Sequence, residues 1–450
     1  MITGSSDTIA AIATASGVGA IGVVRVSGPD AIAITEIGFR GRAPLSVAPG
    51  YTLHHGTIHS PAGEEVDEVL VSLFRAPHSY TGEDSVEVSC HGGMVQTQRV
   101  LSTILHLGAR PALPGEFTRR AFLNGRIDLS QAEAVASLIS SKSRASARAS
   151  LGILEGRFSS SISSLREELV GIAGLLELEM DFSEEGIDLV TNAEIQRRVA
   201  GVLDVVDRLG RSYRSGRMIR EGVSMVLAGR PNSGKSSLFN ALLMADRAIV
   251  TSAPGTTRDT LEEEIEIEGV LFRLTDTAGI RESRDAAEAE GIRRGASARE
   301  SADLLLLVHD LTEEDHSLPV GAEPGAQAVI HVWNKVDLLR PAAIGEGEIL
   351  VSAKTGEGLD DLRRSLRMLV DSSEKSIQDG EVVIVARHAD CLARAGQSLL
   401  RALDLLAIHG GRELVATEVR EGIRYLEEIV GIVTTDDVLD RIFAGFCIGK

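Results

Sequence analysis

Gly229-Arg230-Pro231-Asn232-Ser233-Gly234-Lys235-Ser236-Ser237 follows the apolar run Val223 to Ala228 and precedes the amphipathic run Leu238 to Met244. The stretch fits G-x-x-x-x-G-K-[ST], in which a strand ends in a glycine-rich loop whose backbone N–H groups wrap phosphate oxygens at a helix N-terminus. Lys235 is then the cation for the outer phosphates, and the Ser236 hydroxyl is a ligand for Mg2+. Asn232, Ser233, Gly234 and Ser237 complete the nucleotide-binding loop. An ordinary Gly/Pro turn ahead of a helix is the competing reading; strand, loop and helix in the required order weigh against it.

Further stretches follow in the order a guanine-nucleotide site requires. Gly255-Thr256-Thr257-Arg258-Asp259 puts hydroxyls on a glycine-hinged loop, so Thr257 can complete the Mg2+ shell and close over the γ-phosphate. The preceding Thr251-Ser252-Ala253-Pro254 is assigned to the same nucleotide-binding stretch. Asp276-Thr277-Ala278-Gly279 ends the strand Leu271 to Thr275, with Asp276 near the metal and the Gly279 N–H near the γ-phosphate. Asn334-Lys335-Val336-Asp337 ends the strand Val329 to Trp333. The Asp337 carboxylate can accept from both the ring N–H and the exocyclic amine of guanine; adenine offers no such pair. Ser352-Ala353-Lys354, after another short strand, completes base recognition.

The water-positioning residue is the irregular part. Ras-type enzymes place a Gln directly after D-x-x-G, and here that position is Ile280, which cannot hydrogen-bond. Downstream, Glu282, Asp285, Glu288 and Glu290 are the acidic alternatives, and residue type alone does not choose among them.

At 450 residues the chain is too long for one core, and about 150 residues per domain gives about three domains. Hydrophobic residues at 43% and charged residues at 25% are ordinary for a globular protein. Aromatics at 3% leave little for base stacking, and a net charge of −19 excludes a broad electrostatic attraction to nucleic acid, so RNA contact must be local. Cys90, Cys391 and Cys447 are too scattered for a disulfide framework or a zinc pattern. Thr8 to Val24 follows Asp7 rather than a basic segment and reads as strand and turn, not as a signal peptide or membrane span. The expectation is a cytoplasmic protein without membrane attachment.

Residues 1–118 are rich in Gly, Val and Thr, with apolar runs Ile21 to Val26, Val69 to Phe74 and Val86 to Cys90 and a helix over Gln96 to Leu107. Alternation in Val86 to His91 puts Cys90 in the core and Glu87 and His91 on the opposite face. Residues 119–219 are helical: Asp128 and Gln131 form a capping box, Ile162 to Leu176 repeat at three and four, and Thr191-x-x-Glu194 opens a third helix. Residues 220–370 alternate strands with helices, the pattern of a doubly wound α/β domain. Helical patterning resumes over 371–450, at Leu392 to Ile408, Leu414 to Val430 and Val438 to Phe446. The basic residues Arg119, Arg120, Arg126, Lys142, Arg144 and Arg148 form either a local RNA or partner surface or a solvated helix face.

Gly22 to Gly28, Tyr80-Thr81-Gly82-Glu83-Asp84, Gly115-Glu116-Phe117-Thr118, Arg120 to Gly125, Gly229 to Ser237 and Phe446-Cys447-Ile448-Gly449-Lys450 together give the chain a resemblance to the MnmE (TrmE) family of tRNA-modification GTPases. The resemblance implies a multidomain α+β and α/β fold. Its parts are an N-terminal α+β domain similar to folate-binding domains of aminomethyltransferases, a discontinuous helical-bundle domain and an inserted Ras-like P-loop GTPase domain. It further implies a homodimer through the N-terminal domain and a 5-formyl-tetrahydrofolate-type cofactor contacted by Arg25, Glu87, Arg126 and Lys450. Glu87 suits a pterin edge, which presents the same N–H and amine as guanine. Arg126 stands where the family usually has lysine, and Ser233 where it usually has alanine.

By the same resemblance Asn232, Thr251, Ala253 through its carbonyl, and Thr256 hold K+, and Glu288 orients the attacking water. Cys447 matches a family cysteine needed for tRNA modification; nucleophile, metal ligand and structural thiol are its alternative roles. The implied function is a K+-dependent GTPase. With a flavoprotein of the MnmG (GidA) kind, in a heterooligomer, it adds an aminomethyl-type group at C5 of the tRNA wobble uridine. The rivals are a ribosome-assembly GTPase switch, which would need an RNA module or a second phosphate loop, and a folate-dependent aminomethyltransferase with a regulatory GTPase attached.

Overall fold

Alternating apolar residues in the first quarter of the chain build a seven-stranded sheet, and helical periodicity supplies the layer that covers it. The computed structural model describes residues 7–181, 191–245, 262–276, 302–313, 328–341, 345, 347–371 and 382–450. They fall into two compact units, Met1–Ala136 with Leu426–Lys450, and Ser137–Tyr425.

In the first unit, β1 (Ile9–Ile12), β2 (Ile21–Ser27), β3 (Phe39–Gly41), β4 (Thr52–His59), β5 (Glu65–Phe74), β6 (Ser85–His91) and β7 (Arg110–Pro111) lie in the order β3-β4-β5-β6-β2-β1-β7. All neighbours are antiparallel except β1 and β7. One face packs against α1 (Ala31–Gly38) and α2 (Met94–His106) through Val24, Val26, Val71, Val86, Val88, Val100 and Ile104. Cys90 is buried there, and its thiol donates to the Gly22 carbonyl at 3.4 Å. The other face carries Arg25 opposite Glu87, His91 opposite Ile21, and the exposed Leu53 and Leu70. After α3 (Glu116–Leu123), α4 (Leu129–Ile139) opens with the expected box: Gln131 N–H donates to Asp128 and Asp128 N–H to the Gln131 side chain, both at 2.9 Å. Leu129 and Ala132 join Leu439 and Phe443 of α12 (Asp436–Ala444) in a second core.

In the second unit, α5 (Arg144–Leu154), α6 (Arg157–Asp181) and α7 (Asn192–Glu221) precede a sheet, and α10 (Ala386–Ala407) and α11 (Arg412–Val430) follow it. Thr191 caps α7 by accepting from Glu194 N–H at 3.2 Å. The Glu194 side chain turns to Arg197 instead of closing the box, because an opposite charge one turn on competes for it. At some 1.5 Å per residue α7 is about 45 Å long, and it passes through Gly222 straight into the sheet.

That sheet contains β8 (Val223–Ala228), β9 (Glu262–Ile267), β10 (Val270–Asp276), β11 (Leu304–Asp310), β12 (Ala328–Asn334) and β13 (Ile349–Leu350), ordered β13-β12-β11-β8-β10-β9. It is parallel apart from the β9–β10 hairpin. α8 (Lys235–Ala245) and α9 (Leu359–Asp371) belong with it. The chain order reverses on either side of β8, which puts the crevice of a doubly wound sheet at the carboxyl end of β8. No helix among the described residues is long and apolar enough to cross a membrane.

Candidate functional site

The loop Gly229–Ser237 leaves β8 at that crevice. Gly229 and Gly234 have φ of 152° and 91°, and a Cβ on either would overlap a neighbour, the Val308 carbonyl oxygen or the Asn334 side-chain amide. Glycine is required here by close approach as well as by backbone angle. Asn232 is exposed in the left-handed region, at φ 64°. The Lys235 ammonium lies across the loop, donating to the carbonyls of Gly229 at 3.1 Å and Arg230 at 2.7 Å. Ser236 and Ser237 are exposed at the first turn of α8. A helix N-terminus, a lysine and hydroxyls with no carboxylate inside the loop form a donor set that fits a polyanion.

Behind the loop, Asn334 is 2% exposed and ties two segments together. Its Nδ2 donates to the Ser233 carbonyl at 3.0 Å, and its Oδ1 accepts from Ala353 N–H at 3.1 Å. Ser352 Oγ donates to Asp337 Oδ1 at 2.7 Å and accepts from Thr355 N–H at 3.1 Å, while Asp337 itself stays exposed. Lys354 is exposed beside them. Lys335, at φ 69°, is ion-paired to Asp310 at the end of β11. Burial alone would raise the Asp310 carboxyl, but hydrogen bonds from Lys335 and Thr312 outweigh it and hold the group below the usual carboxylate range. The structure thus gathers Asn232 to Ser237, Asn334, Lys335, Asp337 and Ser352 to Lys354 around one end of the sheet. Asp276 ends β10 in register with Leu227, on the strand beside β8. Its side chain lies outside the described residues, as do Thr251, Ser252, Ala253, Pro254, Gly255, Thr256, Thr257, Thr277, Ala278, Gly279 and Glu288.

A second constellation occupies the first unit. Arg25 donates to Glu87 Oε1 from Nε at 3.0 Å and from Nη2 at 2.8 Å, and from Nη1 to the Gly449 carbonyl at 3.4 Å. Its guanidinium lies 5.2 Å from the Tyr80 ring centroid and 5.7 Å from that of Phe117, within cation–π range. Both Arg25 bonds to Glu87 fall on one oxygen. Lys450 is half-buried beside the pair; burial and the Arg25 charge push its ammonium down, against the pull of Glu87. Burial raises the Tyr80 phenol, which is hydrogen-bonded to Thr118 at 2.8 Å. Arg126 bonds instead to the Ser79 carbonyl at 3.1 Å. Cys447 is exposed two residues before Gly449, and its carbonyl accepts from Lys450 N–H at 3.3 Å.

Arg120 is neither an RNA contact nor a solvated charge, the two roles its basic run suggested. It is 4% exposed and donates to Asp7 at 2.8 Å, Glu116 at 3.0 Å and Glu83 at 3.2 Å. Arg110 adds a second cation, and its hydrogen bond is the main reason the Asp7 carboxyl is lowered to about 2. Arg119 pairs with Asp440 and Lys142 with Glu264, so much of the run is spent on internal ion pairs. Sequence reasoning also missed Asp310. Its signal was a lone carboxylate closing the apolar run Leu304 to Val308, level in the sheet with Asn334.

Residues 8–126 match the family model of the GTP-binding protein TrmE N-terminus, and residues 129–447 match that of the MnmE helical domain. The tRNA modification GTPase MnmE of Chlorobium phaeobacteroides is 42% identical, covering 99% of this chain and 97% of that protein. That of Salinibacter ruber is 43% identical, over 99% of each chain. That of Moorella thermoacetica is 44% identical, again over 99% of each. With both family models matched in order and relatives aligned end to end, the chain belongs to the MnmE family of tRNA modification GTPases.

Proposed function

We propose that the chain is a K+-dependent GTPase that modifies C5 of the wobble uridine of tRNA, adding an aminomethyl-type group with a tetrahydrofolate one-carbon unit. It acts as a cytoplasmic homodimer joined through the N-terminal domain, in a heterooligomer with a flavoprotein of the MnmG kind. The observation that carries the reading is the presence in one chain of two separate grips: the loop Gly229–Ser237, suited to phosphates, and Arg25 with Glu87 and Lys450, suited to a flat, N–H-rich heterocycle with anionic groups. The domain scheme is 1–118 folate-binding, 119–219 and 371–450 helical, and 220–370 the inserted GTPase domain. The exposed Ile21, Leu53 and Leu70 on the open sheet face support self-association of the first unit.

In this reading Lys235 and the α8 N-terminus hold the phosphates, and Asp337, assisted by Ser352, selects guanine. Ser236 and Thr257 would hold Mg2+, with Asp276 nearby. Asn232, Thr251, the Ala253 carbonyl and Thr256 would hold K+. The two cations would supply positive charge where it is needed at the transferring phosphate, in place of an arginine finger. Glu288 orients the attacking water, which answers the loss of hydrogen-bonding capacity at Ile280. Arg25, Glu87, Arg126 and Lys450 would hold the folate, which supplies the one-carbon unit; flavin oxidation is the partner's chemistry. Cys447, exposed and three residues before Lys450 in the chain, would take part in the modification chemistry.

Mass spectrometry of nucleosides from tRNA of cells lacking the protein tests the reading. Loss of the C5-substituted wobble uridine is expected; unchanged uridines with accumulated ribosome precursors would favour the assembly-switch alternative. Equal GTP turnover in Na+ and K+ would remove the potassium requirement.

A further inference from the structure

Two stretches assigned to the metals and the γ-phosphate, Thr251 to Thr257 and Asp276 to Gly279, lie in the chain on either side of one hairpin. β9 starts shortly after Thr257, and β10 ends at Asp276. β10 pairs with β8 from Phe272 to Asp276, leaving Val270, Leu271 and the turn beyond the start of β8. The turn residues Glu268 and Gly269 have φ of 47° and 88°, the left-handed pair of a two-residue type I′ hairpin.

Three attachments hold this tip to the helical segment. The Gly269 carbonyl accepts from Ala145 N–H at 3.0 Å, which satisfies one of the first-turn amides of α5 that have no partner within the helix. Ser143 Oγ, the α5 cap, accepts from Ser146 N–H at 3.2 Å, so turn and cap share the work. On the flank, Lys142 Nζ reaches both Glu264 oxygens, at 2.7 and 2.9 Å. At the stem, Leu271 packs on the joint between α7 and β8: a Cβ at Gly222 would lie 3.0 Å from the Leu271 side chain.

We infer that Lys142 is a positioning residue for GTP hydrolysis: through Glu264 and the clamped hairpin tip, the helical segment holds the strands from which the metal and γ-phosphate loops spring. The inference rests on the nucleotide reading of those loops. The coupling runs both ways, since any element that two sites bias transmits in either direction. Nucleotide bound at the site therefore registers in the first turn of α5 as well as in the hairpin. Because β9 is the edge strand among the described residues, the only sheet bonding described for it is on one side, and the clamp supplies restraint near the tip.

The test uses the full chain as wild type, Lys142→Glu, and the charge-swapped Lys142→Glu/Glu264→Lys. Three quantities are read: affinity for GDP, kcat for GTP, and amide exchange over Ala145 to Arg148 with GDP or a non-hydrolysable GTP analogue bound. In Lys142→Glu kcat falls by about tenfold, the scale expected when reacting groups are misplaced by a fraction of an ångström, while GDP affinity stays within about twofold. In wild type the α5 amides exchange differently with the two nucleotides; the single variant loses that difference and the swap restores both properties. An unchanged kcat in Lys142→Glu, a swap that fails to restore it, or α5 exchange in wild type that ignores the nucleotide overturns the inference. A wild-type chain that binds no GDP instead brings down the underlying nucleotide reading.

Discussion

Replacing Asn334 by alanine should loosen nucleotide binding more than any other change behind the loop, and the size follows from the bonds lost. Asn334 is buried and makes two hydrogen bonds, at 3.0 Å to the Ser233 carbonyl and 3.1 Å from Ala353 N–H. Truncation leaves two partners without their bond at about 1–2 kcal/mol each, the lower part of the usual range because Ala353 is only half-buried, so the variant loses about 2–4 kcal/mol in total. Both partners belong to ligand loops. If that energy is what holds the loops in the binding-competent arrangement, the competent fraction falls by at most about 30- to 1000-fold. Titration with a fluorescent GDP should show affinity weakened by at least about tenfold, and urea unfolding should show the stability loss. Asn334→Asp should behave alike, since the donor to Ser233 is gone and a carboxylate oxygen would face a carbonyl. A full stability loss with GDP affinity unchanged would refute the reasoning, for Asn334 would then hold the fold and not the loops.

Arg120→Ala should destabilise the first unit by about 3–5 kcal/mol in urea, because it strands the Asp7, Glu83 and Glu116 carboxylates around a buried centre. In the same cluster the folded carboxyls of Asp7 and Glu116 are depressed below their unfolded values. Their stabilisation is therefore complete above the ordinary carboxylate range and lost as pH falls through the depressed values, about 2 for Asp7, which melting curves at descending pH will follow. His91 is raised by its 2.7 Å bond to Asp67 and by that residue's charge, so its NMR titration should sit above the ordinary histidine value and return towards it in Asp67→Asn. Ser233→Ala should raise the melting temperature, since the Ser233 hydroxyl is buried and has no hydrogen-bond partner among the described residues. An unchanged melting temperature would mean that the orphan hydroxyl carries no cost.

Much of the fold was legible because its causes are local. The Asp128–Gln131 box, the inward Cys90 and the strand before Gly229 each depend on a window of a few residues, and each stands where periodicity put it. Legibility fails where a side chain's role depends on distant charge. Arg120 reads as one member of a basic run, yet Asp7 and Glu83 from other segments, with Glu116 one turn back on its own helix, draw it inside.

The glycine loop and the stretches Asn334 to Asp337 and Ser352 to Lys354 could be picked out from sequence alone, because backbone angles, glycine clearance and a helix start are properties of consecutive residues. Tertiary structure decided the rest: that Asp310 pairs with Lys335, that Asn334 bolts the phosphate loop to Ala353, and that Arg25 meets a carbonyl 424 residues away at Gly449. These pairings arise from sheet order and chain crossing. Charge and hydrogen bonding act through space, and the distance that governs them is set by the fold and not by position in the chain.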